Sequence, residues 1–167
     1  YNQFLDIALL KPKNPPRSPF KNIAILGDSN ILELGQLVWA VGSPLGIPST
    51  ITKGRVINKN IIIPASPWMK IILSDVVINK GNSGGLLVNK YGEVIGMNVG
   101  VAGGDGSSEK EDSKKETQII VMPSLNLTIA TPVNSIKRVL PKLQAGVEAK
   151  PLIIGAGFMD SWKLSDQ

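Results

Sequence analysis

Short apolar runs rich in β-branched residues recur along this chain, each closed by Gly, Pro, Asn or Asp before a helix could be wound. They fall at residues 7–10, 23–26, 37–41, 51–57, 61–63, 71–73, 86–88, 94–99, 119–122 and 125–130. Side chains branched at Cβ crowd a helix and suit a pleated surface. Runs this short, separated by turn residues, predict an all-β barrel or sandwich. Asn89, Lys90, Tyr91 and Gly92 predict a hairpin, with Gly92 free to take positive φ. One helix is expected, over about residues 132–143. Val133, Ile136, Val139 and Leu140 share one face, and Thr131 is placed to cap it ahead of Pro132. Pro141 is expected to kink or end it.

The composition agrees with a folded core: 43% of the 167 residues are apolar and 19% charged. Without cysteine, disulfides and thiolate metal sites are excluded. No metal cluster and no cofactor motif is visible. The glycine-rich segment at 100–106 is not followed by GK[ST], and it lacks the acidic ligands of a calcium loop. The net charge is +5, yet Lys11, Lys13, Arg17 and Lys21 lie in or beside a proline-rich loop, residues 11–20, without interleaved aromatics. A solvated loop accounts for them, and no nucleic-acid partner is expected. No apolar run approaches the ~18 residues that a membrane span needs. Residues 103–118 form a second, nearly all-polar loop, read as solvated, with a gating role left open.

Chemistry concentrates at Lys80-Gly81-Asn82-Ser83-Gly84-Gly85. A serine between glycines on a tight turn exposes its hydroxyl while neighbouring backbone N–H groups converge. That arrangement supplies a nucleophile and an oxyanion hole together. Gly81 and Ser83 are the natural amide donors, with Asn82 between them. A serine hydroxyl also needs a base, and the chain contains no histidine. A Ser–Lys dyad using Lys80 is disfavoured, because that residue belongs to the oxyanion turn itself.

In order along the chain, DIALL from Asp6, LGDSNILELGQLVWAVGSPLG from Leu26, ITKGRVI from Ile51, SDVVINKGNSGGLLVN with GEVIGMN, and TIATPVNSIKRVL from Thr128 resemble the HtrA/Deg family of trypsin-like serine proteases. The resemblance covers nearly the whole chain. It implies a trypsin-like double β-barrel with its N-terminal barrel truncated, plus one C-terminal linker helix. Residues 1–34 would be the end of the first barrel, 35–131 the second barrel, 132–149 the helix and linker, and 150–167 the start of a PDZ-like domain. Ser83 would be the nucleophile and Asp6 the carboxylate that orients the base. The family histidine would lie upstream of Tyr1, so the chain alone is expected to be inactive.

The resemblance also places Val77, Ile78, Thr128, Ile129 and Ala130 around the substrate pocket. Val77 stands six residues before the serine, where Lys/Arg specificity would need a carboxylate, so small or medium apolar side chains are expected at the cleavage site. Asp75 is expected to pair with backbone or face solvent. The strand at 127–131 is expected to offer its edge to an extended peptide. Leu86 and Thr131 depart from the family's proline and isoleucine, and Thr128 from a glycine, which would narrow the pocket mouth. The implied activity is endoproteolysis of unfolded or misfolded proteins in protein quality control. The alternative is a protease-dead homologue that binds peptides as chaperone or adaptor. The family further implies a homo-trimer, impaired in this chain, and an extracytoplasmic setting, with organelles as another possibility.

Overall fold

The structure is a computed structural model and describes residues 2, 5–13, 23–63, 66–102 and 127–147. Six strands and a helix organise them: β1 Leu37–Gly42, β2 Thr50–Ile63, β3 Ser66–Ser74, β4 Leu86–Val88, β5 Val94–Ala102, β6 Leu127–Pro132 and α1 Val133–Gln144. The strands close into an antiparallel barrel in the order β1-β2-β3-β6-β5-β4. Closure pairs every strand on both sides over part of its length, so that open backbone remains only where one strand outruns its neighbour, as β5 outruns β4.

The expected all-β class is therefore present, and alternation explains it residue by residue. Val38 and Ala40 of β1, Leu87 of β4, Ile72 of β3 and Ala130 of β6 point inward, joined by Val56 and Ile95. A strand that puts every second side chain inside needs apolar residues only at those positions. A second cluster, Ile71 and Ile129 with Ile61, Leu73, Val99 and Ala102 against them, covers the opposite face of β3 and β6. The runs at 51–57 and 61–63 are one strand, bent by register shifts between Val56 and Asn58 and between Asn58 and Ile61.

Two expected strands are absent. Of residues 7–10 only Ile7 pairs, in a single antiparallel bridge to Asn2; of 23–26 only Leu26 pairs, in a parallel bridge to Val94. One bridge is not a ladder, and an isolated pair of short segments is marginal in water. Leu10, Ile23 and Ile25 are accordingly exposed. Leu32, just before the expected boundary at residue 34, is 1% exposed and belongs to the barrel core. The expected strand at 119–122, the polar loop at 103–118 and the segment at 150–167 lie outside the described residues.

The helix begins as expected but is capped differently. Thr131 remains in β6, and Pro132 is the N-cap, which has no side-chain donor or acceptor to offer. The cap comes from far along the chain: Ser29 Oγ accepts the Asn134 N–H at 3.2 Å. Asn134 Nδ2 and Lys137 Nζ add bonds to Asp28 Oδ1 and the Gly27 carbonyl, at 2.6 Å each. Pro141 lies inside the helix without ending it. The end falls past Gln144, where Gly146 takes a φ of 70° and its N–H bonds the Leu143 carbonyl at 3.1 Å.

Candidate active site

The serine turn hangs between β3 and β4, and the segment entering it has no ladder of its own. Side chains hold it instead. The Asp75 carboxylate accepts the Arg55 N–H, as expected for a residue pairing with backbone. The Thr128 hydroxyl donates to the Val76 carbonyl, and Thr52 Oγ1 to the Val77 carbonyl at 2.7 Å. Val76 and Ile78 are buried while Val77 between them is 63% exposed, so the segment runs extended along the barrel mouth.

Within the turn, each peptide has a defined job. The Lys80 carbonyl accepts the Leu45 N–H at 2.9 Å. Because a trans peptide points its C=O and N–H in opposite directions, the Gly81 N–H faces away from the Leu45 loop. Gly81 has a φ of 103°, and a Cβ there would sit 2.7 Å from the Ser43 carbonyl oxygen, so only glycine fits. The Asn82 N–H is occupied by the Asn79 carbonyl at 3.0 Å. This removes Asn82 from the expected amide donors. The N–H groups of Gly81 and Ser83 have no acceptor among the described residues.

Behind the turn, Gly84 N–H bonds the Asn98 carbonyl at 2.8 Å, and Asn98 N–H returns to the Gly85 carbonyl at 2.9 Å. Ser83 is exposed, and its Oγ donates to the Val99 carbonyl at 2.9 Å. Thus β5 supports the nucleophile from its base to its hydroxyl. Sequence reasoning missed Thr52 and the Leu45 loop. The Pro-Leu-Gly turn was the available signal for the last of these: Leu45 is left-handed at φ 54° and Gly46 at 79°.

The other expected residues sit as follows. Thr128, Ile129 and Ala130 are buried in the barrel wall. The strand β6 is paired on one side with β3 and on the other with β5, so it has no edge to offer a peptide, contrary to expectation. Thr128 turns its hydroxyl to Val76 rather than narrowing a pocket mouth. The edge next to Ser83 belongs instead to β5, whose pairing with β4 ends at Met97. Asp6 is not on a strand. It is exposed at a turn closed by the Asn2–Ile7 bridge, with a φ of 51°.

A family model described as "Trypsin-like peptidase domain" matches residues 1–97. A probable periplasmic DegP-like serine endoprotease of Pseudomonas putida (strain GB-1) is 45% identical over 95 residues, covering 56% of this chain and 19% of that protein. Its counterpart in Brucella suis biovar 1 (strain 1330) is 41% identical over 103 residues, covering 62% and 20%. The chain thus spans about a fifth of the length of these curated relatives. Among solved structures, the HtrA-type protease AlgW with a decapeptide superposes at a TM-score of 0.58 with 25% identity, over 75% of this chain and 34% of that one. AlgW with a tripeptide gives 0.57 and 26%, over 74% and 36%.

Proposed function

We propose, on the premise that this chain belongs to the trypsin-like peptidases of the HtrA/Deg family, that it carries the nucleophile half of a serine endopeptidase site. Ser83 attacks the scissile carbonyl, and the Gly81 and Ser83 amides receive the oxyanion as it forms. The acyl-enzyme is then hydrolysed by water. The base is a histidine contributed from outside this sequence, which holds none. Asp6 orients that imidazole. The observation that carries the reading is the pair of open amides flanking an exposed serine hydroxyl.

The substrate is an extended segment of an unfolded protein, added as a strand along β5 beyond Val99, since Asn98 bonds Gly84 and Gly85 and the Val99 carbonyl holds Ser83 Oγ. Val77, exposed at the entry to the turn, favours an apolar residue at the cleavage position. The periplasmic relatives support an extracytoplasmic setting, and the family's homo-trimer is the assembly expected of the whole protein. Fluorophosphonate labelling of the full-length protein tests the reading. Ser83→Ala should abolish the label, and full labelling of that variant would overturn it.

The second reading, a protease-dead homologue that holds peptides along the same edge, shares the turn and the β5 edge and differs only in lacking the base. Saturable binding of an unfolded polypeptide by the full-length protein, with no label and no cleavage, would select it.

A further inference from the structure

A cavity of about 360 Å³ opens at the start of α1 and shares no lining residue with the serine turn. Its walls carry three cations from three elements: Lys59 of β2, Lys70 of β3 and Arg138 of α1. None of the three has an ion-pair partner among the described residues, and no carboxylate lines the cavity. Lys59 is fixed there, its Nζ donating to the backbone carbonyls of Asn30 and Leu32. Asp28 lies next to lining residue Ser29, but its carboxylate is engaged by the Asn30 N–H and Asn134 Nδ2.

Converging cations repel one another and gain from a shared counter-charge. The N-terminus of α1 borders the same cavity; its first turn contains no acid, while Ser29 Oγ caps the Asn134 N–H and the Asp28 carboxylate bonds Asn134 Nδ2. Ser29, Asn134 and Ser135 supply hydroxyl and amide groups, and Pro132 is the one apolar residue in the lining. Such a wall holds a compact, highly charged head and offers little to a hydrocarbon body. Three cations also match a multiply charged oxyanion better than a single carboxylate.

We propose that this cavity binds a phosphoryl group, as free pyrophosphate or as the head of a phospholipid. The site is separate from peptide hydrolysis and does not rest on it. Lys70 and Arg138 are exposed, so replacing them leaves the barrel core intact.

The test is an NMR titration of this chain with pyrophosphate, read at the amides of Ser29, Asn134 and Ser135. Saturable shifts confined to these amides are expected below about 1 mM, a modest affinity for a small ion. Lys70→Gln and Arg138→Gln should each weaken binding about tenfold, the worth of one charge-assisted hydrogen bond. Lys90→Gln, on the distant-in-sequence hairpin, carries the same change of net charge and should leave binding unaltered. An equal loss in Lys90→Gln, or no saturable shift, overturns the proposal. Sedimentation with phosphatidic acid vesicles separates the two sources. Vesicle binding lost in Arg138→Gln assigns the group to lipid, and pyrophosphate binding without vesicle binding assigns a soluble ligand.

Discussion

The Leu45 N–H donates to the Lys80 carbonyl at 2.9 Å, and this one bond sets which way the peptide between Lys80 and Gly81 faces. The donor stands on a loop that is itself wound through left-handed residues, Leu45 and Gly46. Geometry at the serine turn is thus imposed by a neighbouring loop, not by the turn's own sequence alone.

Gly81→Ala should therefore disturb both. The new Cβ would press on the Ser43 carbonyl, and alanine resists a φ of 103°. A loss of about 1–3 kcal/mol is expected, the usual cost of a side chain in a disfavoured backbone region. Denaturant unfolding of this chain measures it, and an unchanged midpoint would show that the loop yields without strain.

Thr128→Val removes a hydroxyl that is fully buried while keeping the shape of the side chain. The Val76 carbonyl then loses its donor. A destabilisation of about 1–3 kcal/mol follows from leaving a buried acceptor unpaired. Thr128→Ser, which keeps the donor, should lose less, mainly through its missing methyl. Thermal unfolding of the two variants side by side distinguishes hydrogen bonding from packing.

The barrel was legible in the sequence because short apolar runs are cut by turn residues, as residues 37–41 are by Gly42, Ser43 and Pro44; which side chains of a run such as 37–40 face inward was not, because all four are apolar. The hairpin was legible because Asn89 and Gly92 are turn residues with specific jobs. Asn89 Oδ1 accepts the N–H groups of Tyr91 and Glu93, and Gly92 takes a φ of 77°. What escaped notice was long-range. A hydroxyl at Thr52 looks like any strand threonine until the fold brings the Val77 carbonyl to it. The cap of α1 was misassigned for the same reason: Ser29 is 105 residues away from Asn134. The runs at 7–10 and 23–26 read as strands by composition, yet each finds only one bridge here, and apolar residues alone do not make a ladder.

At the N-terminus of α1, pH should matter. The Asp28 carboxyl is held below its ordinary value, first by the Asn30 N–H, then by Asn134 Nδ2, with Lys137 adding attraction. A depressed folded value means that the charged form stabilises the fold. That contribution is fully present above the unfolded carboxylate value, about 3.9. It is lost as pH falls through the lower folded value. Asp28→Asn should accordingly lower the thermal midpoint near neutrality, with the gap from the parent closing in strong acid. A gap that stays constant across the range would remove Asp28 from the account.

Leu87 tests how the turn is anchored to the core. It is 0% exposed, and its register partners are Ala40 on β1 and Gly96 on β5. Neither neighbour has a side chain long enough to fall into a space left beside it. Leu87 and Ala40 share the main core cluster, and on the side of Gly96 the space that a Cβ would take is bordered by Ala130 and Ile72. Leu87→Ala should then sit in the upper part of the usual range, at about 3–5 kcal/mol, because the cost of such truncations rises with the cavity that cannot collapse. Leu87→Met, nearly equal in volume, should cost under about 1.5 kcal/mol. Chemical unfolding of both variants decides the matter. Equal losses would mean that shape, rather than filled volume, governs this layer of the barrel.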